Sequence, residues 1–368
     1  MVCGTVVDAN PGGDPAGCLT EHDPTCHAIG GNGSWIVGIS GVRQDTPSHL
    51  VASIEHVPVK TLNRPLRRNT PTDLDEAGEF LSLFDVVFDR FNPDVVMTYG
   101  GDPLTLEILS RARRRGATTV FTLHNLNYST AAHFADVDAI LVPSRFSADY
   151  YRRFLGINCV ALASLVNPSR VRTELFQPIY LTFINPSFEK GVYVFVRLTD
   201  ELARCRPDIP LLVVESRGAE AHLVDCGIDL RPHGNVFLMA QTPDPRDFWS
   251  VTRVCLMPSL CMESQGLVAV EAMVNGIPVV ASDRGALPET LGGSGVVLPL
   301  PDRLTPFTRE LPTAEEVAPW VEAIIALWDD PVWYAEQSRR AAAESVRWST
   351  EVLGPQYTHL FENVRPLA

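Results

Sequence analysis

The chain has 368 residues and a formal net charge of −14, with 45% hydrophobic and 20% charged residues. This length is enough for two domains with separate cores, and the composition is typical of a globular protein. The acidic balance argues against nucleic acid as a partner, because binding to phosphate backbones relies on clustered basic side chains. Only two of the 30 basic residues are lysines, Lys60 and Lys190.

The sequence carries no signal of export or of membrane insertion. No apolar run resembles a signal-peptide core or reaches the ~20 residues of a membrane span. We therefore expect a cytoplasmic protein without disulfides, and peripheral membrane contact through the basic segments 60–68 and 111–115 is disfavoured but open. A cluster near the N-terminus matches no common zinc spacing, so no metal site is predicted there; it consists of Cys18, His22, Cys26 and His27.

The first half of the chain begins irregularly and then alternates strands with helices. Residues 1–33 are rich in Gly, Pro, Asp and Thr and are predicted to be irregular. Strands are predicted at 34–40, 51–59, 94–98, 118–124 and 139–142, and helices at 74–91, 103–115 and 144–154. Strands that alternate with helices predict a parallel sheet covered on both faces.

The alternation restarts after a proline-containing linker at 164–178. Strands are predicted at 179–184, 210–215, 236–239, 254–258, 278–282 and 295–298, and helices at 192–204, 247–252, 266–275, 313–328, 331–347 and 350–363. The predicted organisation is an irregular segment (1–33), an N-terminal domain (34–170), a C-terminal domain (171–348) and a terminal helix that packs back towards the N-terminal domain (349–368). Two doubly wound α/β domains of this kind face each other across a cleft.

The segment from Pro258 to Thr290 carries the clearest chemical signal. A strand ends at Pro258, a polar loop carries Glu263, and a helix begins near Gly266. The first amides of a helix have no internal partners, so this start is suited to a phosphate. Glu271 lies in an otherwise apolar stretch, where an unpaired buried carboxylate is costly. We expect Glu271 to accept ligand hydroxyls or to border the cleft; the alternative is a solvated helix face.

This segment contains the motifs Glu263-x7-Glu271, Gly266-Leu267-Val268, Gly276-x-Pro278-Val279-Val280-Ala281-Ser282 and Gly285-Ala286-Leu287-Pro288-Glu289. With these motifs the segment resembles the retaining glycosyltransferases of the GT-B fold, family 4 (glycosyl transferases group 1). The resemblance implies an α/β protein of two Rossmann-like domains that transfers a sugar from a nucleotide-diphosphate sugar to an acceptor hydroxyl with retention of configuration. It implies neither a metal nor a further cofactor.

The resemblance also implies roles for individual residues of the donor site. Glu263 contacts hydroxyls of the donor sugar, Gly266 and Leu267 offer amides to the diphosphate, and Glu271 binds the ribose. Ser264 and Val268 complete this part of the predicted donor site.

Three further segments extend the resemblance. Phe188-Glu189-Lys190-Gly191 is similar to the family's lysine-glycine, whose lysine contacts the donor diphosphate. The arginine that the family carries shortly before it is absent, and Asn185-Pro186 stands there instead. The strand that ends at Glu215 resembles the one that borders the nucleotide base, so Glu215 is predicted to belong to the donor site. Asn185 is also predicted to contact the donor. His124 resembles the histidine that enters the cleft and positions the sugar.

Two other classes of protein remain open. A nucleotide-sugar epimerase shares this fold, and a nucleotide-sugar-binding protein could lack transfer activity. The pairs Asp73-x-Asp75 and Asp136-x-Asp138 have the spacing of a metal-dependent glycosyltransferase, but neither ends a strand of a nucleotide-binding half. The N-terminus departs most from the family, since Gly12-Gly13 and Gly30-Gly31 follow no predicted strand. The donor base, the sugar and the acceptor (saccharide, lipid or small-molecule hydroxyl) are not predicted.

Overall fold

The computed structural model describes residues 77–365 with their side chains and, before them, the backbone of residues 2–5, 28–30, 34–36, 39–46, 49–54, 57–62 and 74–76. Contacts divide the chain into two units, residues 1–93 and 94–368. The elements of the first unit are β1 (Val2–Thr5), β2 (Ala28–Gly30), β3 (Ser34–Ile36), β4 (Ile39–Thr46), β5 (His49–Ile54), β6 (Val57–Leu62) and α1 (Leu74–Phe91).

Within the first unit, one mixed sheet has the strand order β1-β6-β5-β4. β1 runs parallel to β6, whereas β5 runs antiparallel to both β4 and β6. β2 and β3 form a separate antiparallel pair. Helix α1 confirms the helix predicted from the apolar spacing over 74–91.

The strand predicted at 34–40 is divided between β3 and β4, which lie in different sheets. Two further predictions for this region were wrong. Residues 1–33, predicted as irregular, contain β1 and β2, so a strand does precede Gly12-Gly13. The segment 51–59, predicted as one strand, is a hairpin in which Ile54 pairs with Val57. β1 pairs with β6, far along the chain, and a local pattern does not reveal such a partner. The hairpin was missed because the sequence between its strands, Glu55-His56, carries no Gly, Pro or Asn turn signal. The Cys18, His22, Cys26 and His27 cluster lies outside the described residues, as do the side chains of Asp73-x-Asp75 and of 60–68.

The second unit begins with a parallel sheet of four strands. Its elements are β7 (Val95–Thr98), α2 (Pro103–Arg114), β8 (Thr118–Thr122), β9 (Ala139–Val142), α3 (Arg145–Leu155) and β10 (Val160–Ala161), and the strand order is β10-β9-β8-β7. Side chains cap both helices: Asp102 accepts from the Thr105 N–H, and Ser144 accepts from the Ser147 N–H. Buried aromatic residues such as Phe121 and Tyr151 fill the core beside this sheet.

Asp138 has a structural role in this sheet. It lies directly before β9, and its carboxylate accepts hydrogen bonds from the Thr119 N–H (2.8 Å) and hydroxyl (2.9 Å). Arg113 pairs with the same carboxylate at 3.5 Å. Ligands of such sheets bind at the opposite, carboxyl end of the strands, so Asp136-x-Asp138 does not lie where a metal-dependent transferase needs it.

The larger sheet follows a short helix, α4 (Pro168–Val171). Its elements are β11 (Tyr180–Ile184), α5 (Val192–Cys205), β12 (Leu211–Val214), α6 (Glu220–Val224), β13 (Val236–Met239), α7 (Arg246–Trp249), β14 (Thr252–Met257), α8 (Leu267–Val274), β15 (Val279–Ser282), α9 (Leu287–Leu291) and β16 (Val296–Leu298). Three helices complete the chain: α10 (Ala314–Asp329), α11 (Pro331–Ser345) and α12 (Thr350–Asn363). These bounds confirm the predicted alternation.

All six strands run parallel in the order β13-β12-β11-β14-β15-β16. Apolar residues of α5 and α10 form one buried cluster with the sheet, and residues of α8, α9 and α11 contribute to a second. The sheet is therefore doubly wound, as predicted. The chain first moves outward from β11 to β13 and then returns to β14, so the strand order reverses between β11 and β14. Ligands of open α/β sheets bind in the crevice at this reversal.

Helix α12 packs on the segment that precedes the larger sheet. Leu353, Tyr357 and Leu360 belong to an apolar cluster with Leu162 and Val171. The Tyr357 hydroxyl donates to the Ala163 carbonyl at 2.9 Å. The predicted domain boundaries themselves stay a prediction. No helix among the described residues is both long and apolar enough to cross a membrane.

Candidate active site

The loops after β11 and β14 meet at the reversal of strand order. The first loop contains Lys190, and the second contains Glu263. The N–H groups of Leu260 and Cys261 both donate to the Glu189 carbonyl, at 2.9 and 3.0 Å. Backbone hydrogen bonds therefore join the two loops directly, at the edge of the sheet where ligands of this fold bind.

Lys190 and Glu263 form an ion pair in this crevice. Lys190 Nζ lies 2.5 Å from Glu263 Oε1, and the Ser259 hydroxyl donates to the same oxygen at 2.7 Å. The side chains are 25% and 11% exposed. Burial disfavours the charge on Lys190, but the negative charge of Glu263 outweighs it, and the pKa of Lys190 is raised. The lysine is therefore charged at neutral pH.

Two glycines hold this pair by close packing. At Gly191 the backbone has φ +84°, and a Cβ would lie 1.9 Å from the Pro258 carbonyl oxygen. At Gly285, where φ is +66°, a Cβ would lie 2.3 Å from the Glu263 nitrogen. The Ala286 N–H donates to the Glu263 carbonyl at 2.7 Å. A side chain at Gly191 would push the two loops apart, and a side chain at Gly285 would displace the backbone of Glu263.

Helix α8 begins beside Glu263. Gly266 is its N-cap with φ +83° and without a side-chain cap. The first amides bonded back to the Gly266 carbonyl are those of Ala269 and Val270. The amides of Leu267 and Val268 therefore precede the helical ladder, and they lie at the positive end of the helix dipole. This geometry suits the phosphate contact that the sequence predicts for Gly266 and Leu267.

Glu271 is desolvated on α8. Its Oε2 accepts from the indole N–H of Trp249 at 3.2 Å. Burial raises the pKa of Glu271 to about 7, although the Trp249 hydrogen bond acts in the opposite direction. A carboxylate in these surroundings does not belong to a solvated helix face, and the contact of Glu271 with ligand hydroxyls stays a prediction.

Asn185 and Glu215 hold the loop that follows β12. Asn185 has φ +62°, and its Oδ1 accepts from the Gly218 N–H at 2.6 Å. Glu215 Oε1 accepts from the Glu220 N–H at 2.8 Å, at the start of α6. Both side chains thus have structural partners, and their contacts with a donor stay predictions.

His124 follows β8 and meets the loop that carries Glu263. The Ser264 hydroxyl donates to the His124 carbonyl at 2.6 Å, and the Ser147 hydroxyl donates to the Ser264 carbonyl at 3.1 Å. The His124 ring lies edge-on to Tyr99, with 6.3 Å between the centroids. Desolvation lowers the pKa of His124, which favours the neutral imidazole.

A second contact between the two sheets involves the start of α3. The Arg145 and Phe146 N–H groups donate to the carboxylate of Glu289, at 3.0 and 2.9 Å. Gln265 and Ser164 exchange two hydrogen bonds, of 3.0 and 3.3 Å. Sequence analysis assigned no role to Glu289, although it quoted the motif that ends there.

Sequence reasoning also missed two direct partners of the predicted carboxylates. Ser259 reaches Glu263, and Trp249 reaches Glu271. Ser259 follows the end of a predicted strand, so its position at the sheet edge was available as a signal. No sequence signal indicated Trp249, because its proximity to Glu271 depends on how α7 packs against α8.

Solved structures with the same fold are glycosyltransferases and related synthases. Sucrose-phosphate synthase from Thermosynechococcus elongatus matches with a TM-score of 0.66 at 19% identity, over 86% of each chain. HepE from Anabaena, solved with UDP and glucose, matches with a TM-score of 0.61 at 18% identity, over 83% of this chain and 86% of that one. These likenesses establish the GT-B fold and confirm the predicted fold class.

A family model matches part of the chain. The match to the family described as "Glycosyl transferases group 1" covers residues 179–329. It includes the Lys190 and Glu263 loops and Glu271. The family resemblance read from the motifs is therefore confirmed.

Curated relatives carry related names. A D-inositol 3-phosphate glycosyltransferase of Pseudarthrobacter chlorophenolicus is 30% identical over 235 residues, 58% of this chain and 51% of the relative. A GDP-mannose-dependent monoacylated alpha-(1-6)-phosphatidylinositol monomannoside mannosyltransferase of Corynebacterium glutamicum is 25% identical over 181 residues, 47% of this chain and 44% of the relative. The chain thus spans about half the length of these relatives.

The close packing at Gly191 predicts a large loss of stability in Gly191→Ala. Gly227 is the matched control, because its φ is +82° and a Cβ there would meet nothing within 4 Å. Gly227→Ala should lower the unfolding free energy only through the left-handed backbone, by about 1–2 kcal/mol. Gly191→Ala should lose ~3 kcal/mol more through overlap with Pro258. Urea unfolding of both variants measures the difference, and equal losses would contradict the packing argument.

The raised pKa of Glu271 predicts a pH-dependent stability of the ligand-free protein. Its stabilising contribution is complete below its pKa in the unfolded chain, roughly 4.3, and is lost as the pH rises through about 7. Glu271→Gln keeps an acceptor for Trp249 but cannot ionise. Its unfolding free energy, relative to the parent protein, should therefore rise between pH 5 and 8 by about 3 kcal/mol. A difference that does not vary with pH would sink this assignment.

Proposed function

We propose that this protein transfers a sugar from a nucleotide-diphosphate sugar to an acceptor hydroxyl, with retention of anomeric configuration and without a metal ion. The observation that carries the proposal is the Lys190–Glu263 pair at the reversal of strand order, next to the uncapped start of α8. It combines a fixed cation and free backbone amides for phosphate with a fixed carboxylate for sugar hydroxyls.

The phosphate side of the site meets the first requirement of transfer. The leaving diphosphate gains negative charge as its bond to the sugar breaks. The Lys190 ammonium and the amides of Leu267 and Val268 are preorganised to stabilise that charge, as fixed donors in a shielded site do. These groups supply by themselves the positive charge that a divalent cation supplies in other transferases.

The sugar side of the site has a carboxylate with spare capacity. Glu263 Oε1 accepts from Lys190 and Ser259, and a carboxylate can accept about four hydrogen bonds in all. Glu263 can therefore also bind donor-sugar hydroxyls while its charge favours the oxocarbenium-like transition state. His124, neutral at physiological pH, positions the sugar from the opposite sheet.

Retention of configuration follows if the acceptor attacks from the face that the diphosphate leaves. In this arrangement Glu263 serves as a hydrogen-bond acceptor held by Lys190 and Ser259, and it takes no part as a nucleophile. Two of the relatives are named for inositol phosphate and for a phosphatidylinositol mannoside. For this protein we propose an acceptor hydroxyl of a saccharide, a lipid or a small molecule.

Mutation of the ion pair tests the proposal. The donor base is found first by thermal-shift screening with UDP, GDP, ADP and TDP, and transfer or hydrolysis is then followed with sugars of that nucleotide. Lys190→Ala and Glu263→Gln should each lower kcat at least ~10²-fold, as loss of a preorganised charge does. Lys190→Arg should also be impaired, because a planar guanidinium does not replace a compact ammonium.

The control is Arg231→Ala, which removes an exposed cation paired with Asp229 on the same domain. It should leave kcat unchanged. Near-normal turnover of the Lys190→Ala variant would refute the proposed role, and donor binding without any transfer would indicate a nucleotide-sugar-binding protein instead. NMR of the product's anomeric centre tests retention.

Metal independence has a separate test. Transfer in the presence of excess EDTA should proceed at the rate measured in Mg²⁺ or Mn²⁺, because the protein's own cations stabilise the leaving group. A loss of activity in EDTA that Mn²⁺ restores would show that a metal ion takes part.

A further inference from the structure

Arg217 lies in the turn after β12 and has no assigned role. The turn is closed by the Ser216 N–H, which donates to the Gly218 carbonyl at 3.0 Å. Within residues 77–365, no carboxylate forms an ion pair with Arg217, and its guanidinium donates no hydrogen bond to any of these residues. Several other exposed arginines of this domain do pair, for example Arg231 with Asp229 and Arg246 with Asp244.

The position of this turn is fixed against the loop that carries Lys190. The Gly218 N–H donates to Asn185 Oδ1 at 2.6 Å. A Cβ on Gly218 would lie 2.4 to 2.6 Å from backbone atoms of Pro186 and Ser187, so the two chains touch. Asn185 itself has φ +62°, a left-handed conformation that asparagine tolerates better than most residues. The backbone of Arg217 is thus anchored one residue from this contact.

Lys190 belongs to the same packed unit. The Lys190 and Val192 N–H groups both donate to the Ser187 carbonyl, at 3.1 and 3.2 Å, so the loop closes on the residue that Gly218 touches. The positive charge of Arg217 acts on Lys190 and lowers its pKa, although burial and Glu263 have larger effects. Two cations close enough to influence each other create a positive potential that favours an anion.

We propose that Arg217 is a second cationic ligand of the donor diphosphate, delivered from the turn after β12 to the phosphates that Lys190 holds. This inference rests on the proposed function. The planar guanidinium can form two parallel hydrogen bonds with phosphate oxygens. Asn185-Pro186 stands where the family carries an arginine. In this protein, Asn185 would instead anchor the turn after the neighbouring strand β12, and that turn would supply Arg217.

Calorimetric titration with a nucleoside diphosphate and its monophosphate tests this proposal. The pair is UDP and UMP, or GDP and GMP, according to the base that binds the parent protein. Arg217→Ala should weaken diphosphate binding roughly 10- to 100-fold, as loss of a charged hydrogen bond does, and should change monophosphate binding much less. Arg217→Lys should retain part of the diphosphate preference.

Two matched variants complete the experiment. Arg231→Ala removes an exposed arginine elsewhere on the domain and should leave both affinities unchanged. Asn185→Gly accepts the left-handed backbone but loses the bond to Gly218, and it should reduce the diphosphate preference in the same direction as Arg217→Ala. Unchanged diphosphate affinity in Arg217→Ala, or an equal loss for both nucleotides, would overturn the inference. If the parent protein binds no nucleoside diphosphate, the proposed function itself fails.

Discussion

The close approach of two loops at the reversal of strand order determines the rest of the site. Helices α5 and α8 both begin there, and the N-cap of each is a glycine in the left-handed region, Gly191 and Gly266. Neither start has a side-chain cap. Elsewhere in the second unit, α2, α3, α10 and α11 begin with Asp, Ser or Thr side chains that satisfy the first amides, whereas α6, α7, α9 and α12 also lack a side-chain cap. What distinguishes the starts of α5 and α8 is their position, because they leave amides available at the one edge where an anion is expected.

Helix α3, in contrast, begins with satisfied amides, and one of the groups that satisfies them comes from the other sheet. Its first three amides are all satisfied: Glu289 accepts from Arg145 and Phe146, and Ser144 accepts from Ser147. The carboxylate also lies at the positive end of the helix dipole. Because Glu289 comes from α9 of the other sheet, a helix cap here doubles as a contact between the two sheets.

The loop that carries Glu263 is held by hydrogen bonds from the parts of the chain around both sheets. Glu263 bonds through its backbone to Ala286, and the next residue, Ser264, bonds to the His124 carbonyl. A shift of the smaller sheet would move Ser264 and with it the carboxylate. The geometry of Glu263 thus depends on contacts with both sheets, although the residue belongs to the larger one.

Much of the second unit was predictable from local pattern. Buried strands such as β9 and β12 are continuous apolar runs, and helices such as α2 and α3 carry a cap at the start, which are local properties. The strand β1 was not predictable in this way, since its partner β6 lies far along the chain, and the hairpin of β5 and β6 was missed because no Gly, Pro or Asn stands between its strands. The same limit applies to the site. The motifs indicated Lys190 and Glu263 one at a time, but the ion pair between them, 73 residues apart, depends on the strand order of the sheet.

The two ends of the site respond differently to pH. Glu263 holds Lys190 in its charged form, so the phosphate end takes up no proton when a donor arrives. Glu271, with a pKa of about 7, is only partly ionised at neutral pH, and it must lose its remaining proton to accept ribose hydroxyls with both oxygens. Under the proposed function, a fall in donor affinity on mild acidification therefore originates at the ribose end. The diphosphate end stays constant over the same range, because the pKa of Lys190 is raised and its ammonium keeps its charge.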